Sequence, residues 1–552
     1  MIILDKNNGD EIMERGNRKE IAGQKKERTI INGLQQEVVT IYVFLIMVVY
    51  PFYYQNKYYN IGYAKWKFFL VLTLGTGLIL IVAAFLTLFK KKHKLITENK
   101  QREISTVDCF ALVYLAVALL STLISPYIEQ VIWGYSGWYM GLVAQICFVF
   151  IYYFVSRYWT EENFVIKYGF ATAFLVFLLA VLMRFGFDPL GMYTGVEERY
   201  MLNFLSTIGQ VTWYSSYVAI LLPLGVFAFW FYDNRYMRFG GGIFTAVGFM
   251  TVVTLGSDSI FFAVGILFGA LLWVSIVSNK KFLRFLEVLI ICFGSFSLVG
   301  VFKKMFAERE IQAEAFAIFF TEGKITGIFL IITIAFYICL KKIKNGSWLD
   351  ARKIREVRGA LSIVILGIAV TTVVYVYLNT VEVLPEHVRN ESTYLLFNEY
   401  WGNNRGFSWI VAVKSFLKGD VIRKLFGCGP DGFSLYIQSF FREELSKKWG
   451  GSGMLACAHN EWLNTLVNMG IAGFVTYIGI FLSALWRFCK KSEECPELMA
   501  LAMSVMCYMG HNFFCYQQVV CTPVIFILIG VGEAIIRNKK QGDITGHITH
   551  SN

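Results

Sequence analysis

The sequence predicts an all-α, polytopic transmembrane protein with one large extracytoplasmic loop. The 552 residues are 56% hydrophobic and 17% aromatic but only 16% charged, whereas soluble domains carry roughly 25% charged residues. Apolar stretches of near 20 residues recur along the chain, and this length is enough to cross a bilayer. We therefore expect about 12–14 spans, and the composition excludes a soluble multidomain protein.

About fourteen stretches meet this length criterion. Their boundaries are 38–54, 66–89, 107–125, 138–156, 164–185, 211–231, 240–255, 259–278, 283–302, 325–340, 359–379, 460–487, 498–515 and 519–536. The stretch at 138–156 is broken by small and aromatic residues, and the stretch at 240–255 is short. Both are also compatible with re-entrant segments.

The distribution of Lys and Arg predicts the orientation, because cationic loops stay in the cytoplasm. With the N-terminus inside, the basic clusters that fall inside are 90–94, 280–284, 341–358, 487–491 and 537–540. The loop at 303–324 is the main exception to this pattern. The formal charge of +12 then belongs to cytoplasmic loops, and nucleic acid is not an expected partner.

This threading divides the chain into five segments. They are a cytoplasmic polar tail without a signal peptide at 1–37, a membrane domain of about eleven spans at 38–379, an extracytoplasmic loop at 380–458, C-terminal spans at 459–536 and a cytoplasmic tail at 537–552. A loop of this length is uncommon unless it is functional or disordered.

The composition of the loop favours folded structure. Apolar residues follow the helical period at 409–420 and 432–449, which predicts two amphipathic helices at the outer leaflet interface. Glycines and a proline at 427–430 predict a turn between them. Cys428 and Cys457 both lie in the loop, and an oxidising compartment would allow them to pair. The sequence leaves that pairing open.

The candidate functional residues surround the end of the loop. His459 and Asn460 lie where the chain re-enters the membrane, Glu461 follows them, and Arg405 begins the first loop helix. Imidazole is the usual proton-transfer group near neutral pH, and a helix N-terminus favours anions. The alternatives are structural, because Asn is a favoured helix cap and an isolated outer Arg is usually a solvated charge or a lipid headgroup contact.

The predicted outer face offers little for a metal site. It contains no D-x-D, no H-x-x-x-H and no carboxylate cluster. We therefore predict no metal and no other cofactor, with arginine supplying the positive charge that a metal would otherwise supply.

Three motifs occur together in this segment. They are R-G-x-x-W from Arg405, G-x-G-P-x-G-F from Gly427, and H-N-E-W-L-x-x-L-x-x-x-G-I-A-G from His459. In combination they resemble the O-antigen ligase and surface polysaccharide polymerase superfamily of integral membrane proteins. The likeness extends to 206–226, 252–269 and 519–534, so it covers most of the C-terminal two thirds of the chain.

The resemblance implies a C-type, metal-independent membrane glycosyltransferase. Such enzymes move a glycan from a polyprenyl-diphosphate carrier onto an acceptor hydroxyl of a glycan, lipid or wall polymer, with membrane lipids as further partners. It implies that His459 activates the acceptor and that Arg405 binds the diphosphate, with Asn460 and Glu461 beside them. It does not separate polymerisation of repeat units from ligation of a finished glycan.

One position departs from the superfamily pattern. Many members have Ser-Arg where this chain has S-D-S at 257–259, and a carboxylate does not bind diphosphate directly. We expect Asp258 to orient Arg405 or a sugar hydroxyl, or to cap the helix that follows. The missing cation is then expected from Arg199 or Arg184.

Two other classes of function remain open from the sequence. A transporter or flippase of lipid-linked saccharide would explain the many spans, although the chain shows no internal repeat of the kind common in transporters. A sensor or scaffold would need neither Arg405 nor His459. For the enzyme, an imidazole near its reference pKa predicts a rate that falls below about pH 6.

Overall fold

The computed structural model describes residues 33–91, 104–160, 162–309, 311, 315–342, 351–450 and 454–549. Residues 1–32 of the predicted N-terminal tail lie outside this range. The described part is helical except for loops and one short antiparallel pair of strands, Phe204–Leu205 and Gly209–Gln210, in which Leu205 lies opposite Gly209.

The helices of the described residues are α1 Gly33–Phe52, α2 Ile61–Lys91, α3 Thr106–Leu123, α4 Ile128–Trp133, α5 Leu142–Tyr158, α6 Asn163–Arg184, α7 Glu198–Met201, α8 Val211–Phe231, α9 Arg235–Thr254, α10 Ser259–Ser275, α11 Asn279–Met305, α12 Ala315–Glu322, α13 Lys324–Lys341, α14 Ala351–Thr380, α15 Trp401–Lys418, α16 Val421–Phe426, α17 Phe433–Trp449, α18 Glu461–Lys491, α19 Glu497–His511 and α20 Thr522–Thr549.

Ten of the described helices are long and apolar enough to cross a membrane: α1, α2, α3, α6, α8, α9, α11, α13, α14 and α18. The protein is therefore a polytopic helical membrane protein, as predicted. Each predicted apolar stretch coincides with a helix, although α14 begins eight residues before its stretch and α20 ends 13 residues after its stretch. Ten clear spans are fewer than the predicted 12–14, partly because α5 and α10 have only 17 residues and α19 only 15.

The bundle is built around α8. In its most apolar window 83% of the residues are buried, whereas none are buried in the corresponding window of α14. Helices α9, α10, α11 and α19 all pack against α8. The central helix thus holds the residues around it in fixed positions, while α14 lies at the periphery with its apolar side chains exposed.

Polar contacts between helices collect at two ends of the bundle. At one end, here called the basic end, arginines from four elements pair with carboxylates: Arg157 and Arg537 with Asp108, Arg284 with Asp233, and Arg487 with Glu533. At the other, here called the loop end, residues of 394–461 contact segments between the long helices: Cys428 with Ser125, Asp431 with Gln130, Tyr394 with Asp258, and Glu461 with Asn512.

Helix α18 is broken near its start at the loop end. Gly470 has φ of +65°, in the left-handed region that glycine adopts without a steric penalty. The carbonyls of Val467 and Asn468 accept hydrogen bonds of 3.2 and 2.8 Å from the N–H groups of Cys428 and Gly429. The loop therefore satisfies backbone groups that the break leaves free, as non-helical backbone in a membrane protein requires.

Substitution of Gly470 by alanine is expected to destabilise the protein. An added Cβ would lie 2.3 Å from the carbonyl carbon of Leu425, and the positive φ is unfavourable for alanine. Together these effects should lower the free energy of unfolding by about 1–3 kcal/mol. Gly327→Ala in α13 is the control, because an added Cβ there meets nothing within 4 Å. Thermal melting of both variants in detergent checks this, and equal melting temperatures would contradict it.

The two loop cysteines are not bonded to each other. Cys428 and Cys457 are both free thiols with buried side chains. Cys428 lies against Asn468 of α18, whereas Cys457 packs with Cys515 and Tyr516. The pairing that the sequence left open is therefore absent from this structure, because the two residues belong to different clusters.

Candidate active site at the loop end

Helix α15 holds Arg405 at the loop end. Trp401 and Trp409, on this helix, each lie 6.1 Å from the ring of Phe514. Gly406 allows the helix to approach the carbonyl of Asn398 so closely that a Cβ would lie 1.9 Å from that oxygen. The Gly and Trp of the R-G-x-x-W motif thus pack α15 against its neighbours and hold the helix that carries Arg405.

The side chain of Arg405 is partly buried and makes few polar contacts with the described residues. It donates one hydrogen bond, of 3.1 Å, to the carbonyl of Gly402, and it forms no ion pair with any carboxylate of the described residues. Arginine carries five N–H donors in a planar fork that matches the oxygens of phosphate. The side chain therefore keeps most of its donors for an anion.

His459 lies next to this cation. Its φ of +50° places it in the left-handed region, which His tolerates better than most residues. The ring meets Tyr516 edge to face at 5.3 Å, and the residue as a whole is partly exposed. Burial, together with the charge of Arg405, lowers the pKa of His459 to about 4. The imidazole is therefore neutral near pH 7 and can accept a proton.

A second histidine, which the sequence did not single out, lies near the same arginine. His511 ends α19, is fully buried and is close enough to Arg405 to interact with its charge. Its Nε2 lies 2.7 Å from the hydroxyl of Ser215 and 3.0 Å from that of Ser259, and its Nδ1 lies 3.3 Å from that of Ser216. These contacts join α8, α10 and α19.

The segments that carry the resemblance meet at this place. The hydroxyl of Tyr516 donates to the Gln210 side chain at 3.2 Å, which brings the segment 206–226 next to His459. His511 brings in 257–259 through Ser259. Residues separated by some hundreds of positions in the chain therefore surround one site.

Asn460 has a structural role in this geometry. Its side-chain oxygen accepts the N–H of Leu463 at 3.1 Å and caps α18, and the residue is buried. Substrate binding by Asn460 stays a prediction, because the cap uses only one acceptor position of the side-chain amide. The alternative that the sequence offered, a helix cap, describes its observed position.

Glu461 is also buried, and its carboxylate accepts hydrogen bonds from the protein. Its carboxylate accepts the hydroxyl of Thr465 at 2.7 Å and the N–H of Gln517 at 2.7 Å. It therefore fixes the start of α18 to the turn that carries Tyr516, instead of facing an incoming substrate. The geometry assigns Glu461 to support of the site.

Asp258 contacts the loop and not Arg405. One carboxylate oxygen accepts the hydroxyl of Tyr394, and the side chain does not cap α10. The other carboxylate oxygen is buried without a hydrogen-bond partner. Asp258 thus ties the long loop to the turn between α9 and α10. The expected cap of α10 is not observed, and a contact with a sugar hydroxyl stays a prediction.

Neither of the two further arginines joins Arg405. Arg199 is 69% exposed, pairs with Glu197 and stacks on Tyr200. Arg184 is buried, and it donates to the carbonyls of Thr254 and Leu255 at 2.6 and 3.0 Å. Arg184 therefore complements the C-terminal end of α9, where a cation is favoured, and it is not available to a diphosphate in this arrangement.

A small polar cavity lies beside the site. Its volume is about 30 Å³, enough for a water molecule but not for a sugar. Asp431 and Glu461 line it. The carboxylate of Asp431 accepts the N–H groups of Tyr135 and Met140 at 2.7 and 3.0 Å, and burial raises its pKa to about 7. Asp431 thus fixes the loop to the turn before α5.

The site therefore combines a partly buried guanidinium with a neutral imidazole. Among the described residues, no group of three or more His, Cys, Asp or Glu side chains is placed to hold a metal ion.

Comparison with protein-family models gives no match to this chain, and comparison with curated proteins gives none either.

Proposed function

We propose that this protein is a membrane glycosyltransferase of the O-antigen ligase and polysaccharide polymerase type. It takes a glycan from a polyprenyl-diphosphate carrier and joins it to an acceptor hydroxyl. The observation that carries the proposal is one pair of neighbours: a partly buried Arg405 without a carboxylate partner, beside a neutral His459 whose ring makes no hydrogen bond to the described residues.

The chemistry balances with these two groups. The acceptor oxygen forms a bond to the anomeric carbon of the donor, and its proton passes to His459. The bond between that carbon and the diphosphate oxygen breaks, and the electron pair leaves on the diphosphate. Arg405 stabilises the negative charge that grows there. Direct displacement predicts inversion at the anomeric carbon.

The proposed orientation puts the loop end outside the cytoplasm. It is supported by the arginines of the basic end, since cations of membrane proteins are enriched on the cytoplasmic side. The site would then face the compartment in which surface glycans are assembled.

The direct test is reconstitution with a defined donor. Purified protein in vesicles, given a polyprenyl-diphosphate glycan and an acceptor, is expected to release free polyprenyl diphosphate together with a glycosylated acceptor. A donor that stays intact would refute the proposal. A donor that crosses the bilayer intact would instead support a flippase.

The pH dependence separates this site from an ordinary exposed histidine. A base acts in its neutral form, so activity is present above its pKa and is lost as pH falls through it. Because the pKa of His459 lies at about 4, we expect a constant rate from pH 8 to about 5. The sequence alone predicted that the rate falls below about pH 6. Initial rates after brief acid exposure, with recovery at pH 7 as control, decide between the two.

A further inference from the structure

An apolar patch lies where α15 ends and α16 begins. Leu417, Val421 and Ile422 have 62, 72 and 57% of their surface exposed, and Leu425 has 42%. These side chains belong to the end of α15 and to α16, in the loop for which the sequence predicts amphipathic helices at the outer leaflet interface. Large aliphatic side chains grouped in this way mark an interaction surface.

The depth of the patch is given by α3. Arg423 of α16 donates to the carbonyl of Ile124 at 3.0 Å, directly after α3 ends. The 18 residues of α3 span about 27 Å, and Asp108 at its other end joins the ion pairs of the basic end. Helix α16 therefore lies at the outer end of a membrane span, near the limit of the bilayer hydrocarbon.

The break in α18 gives the same depth independently. The backbone of Leu425 packs on Gly470, and the part of α18 that follows the break extends about 32 Å to Lys491. This length matches the hydrocarbon thickness of a bilayer, about 30 Å. The lengths of α3 and α18 thus both place α16 at the same boundary of the bilayer hydrocarbon.

The surroundings of the patch fit lipid. Leu123 of α3 and Ile471 of α18 are exposed at the same level, so the apolar surface of two membrane helices continues into α16. The lysines beside the patch are Lys414, Lys418 and Lys424, of which the first two are exposed. Apolar side chains with adjacent Lys are typical of segments that lie in the interface and meet anionic headgroups.

We propose that Leu417, Val421, Ile422 and Leu425 insert into the outer leaflet and anchor the loop to the membrane surface. The partner is the lipid bilayer, with headgroup phosphates near Lys418 and Lys424. This inference concerns attachment of the loop, and it stands whether or not the glycosyltransferase proposal holds.

Depth-dependent quenching tests the anchor without requiring turnover. Ile422→Cys is labelled with an NBD fluorophore in a protein whose exposed cysteines, Cys109, Cys339 and Cys489, are replaced by serine. Glu444→Cys, on the exposed face of α17, is the matched control. In vesicles we expect lipid-attached doxyl groups to remove most of the fluorescence at position 422 and little at 444, with the reverse for aqueous iodide.

Two results would overturn the anchor. Quenching of position 422 by iodide to the same extent as 444 would place the patch in water. A blue-shifted emission that neither quencher reaches would mean that protein covers the patch. Leu417→Cys, at the end of α15, carries the same expectation if the first variant does not fold.

Discussion

Replacing His459 with alanine is expected to lower the rate of glycan transfer by about 10²–10⁴-fold, the usual contribution of a general base. The imidazole is neutral at pH 7 because burial and Arg405 lower its pKa. In the proposed reaction it is the group that takes the acceptor proton. Rates are measured per folded molecule, so that loss of protein is not counted as loss of catalysis.

The backbone at this position supplies a sharper control. His459 has φ of +50°, where alanine is strained by about 1–2 kcal/mol but asparagine is better tolerated. His459→Asn should therefore be as inactive as His459→Ala while melting closer to the wild type. Glu461→Gln, which keeps one acceptor oxygen, should lose less activity than either. A His459→Asn protein with normal turnover would refute the mechanism.

Replacing Arg405 with lysine is the second change with a large expected effect. Lysine keeps the charge but loses the planar fork that binds two oxygens at once. Loss of one such transition-state interaction costs about 3 kcal/mol, or about 10²-fold in rate. We expect the Arg405→Lys protein to remain folded and the decrease to appear in kcat, measured as release of polyprenyl diphosphate.

Arg442→Lys is the matched control, because Arg442 belongs to the same loop and is exposed on α17. It should retain full activity. The Arg405→Lys enzyme should also keep the wild-type acid limb, because a cation still lies beside His459. Activity of Arg405→Lys close to that of the wild type would mean that the guanidinium does not bind the leaving group.

Much of the fold could be predicted because membrane helices are encoded locally. Each apolar stretch became a helix, and the loop helices α15 and α17 follow the periodicity of residues 409–420 and 432–449. The span count was less certain because α5, α10 and α19 are short. Their ends are set by contacts with neighbouring helices, which local hydropathy does not record.

The site was predictable only in part. Arg405 and His459 were predicted from motifs, and in the structure the charge of Arg405 acts on His459. His511 was missed because its partners, Ser215 and Ser259, lie in distant helices and form no local pattern. A repeated His-Asn pair, at 459–460 and 511–512, was the one signal that could have indicated it.

The sequence also could not decide which contacts Asn460, Arg184 and Arg199 make. The sequence left Asn460 as a ligand or a cap, and the observed bond to Leu463 shows that it is a cap. Arg184 and Arg199 are both cations near a predicted outer boundary. One is used by the carbonyls of α9 and the other faces solvent with Glu197, differences that depend on burial and not on charge.

The break at Gly470 has a consequence for how the protein is made. Residues 428 and 429 leave the ribosome before residues 467 and 468, whose carbonyls they will bind. Until the loop has docked, the first turns of α18 would present unpaired backbone groups and the side chains of Asn464 and Asn468 to lipid, which is costly. We therefore expect stable insertion of α18 to depend on prior folding of the loop. Variants that disrupt the loop should consequently be degraded during biogenesis, before a membrane-inserted but inactive form can accumulate.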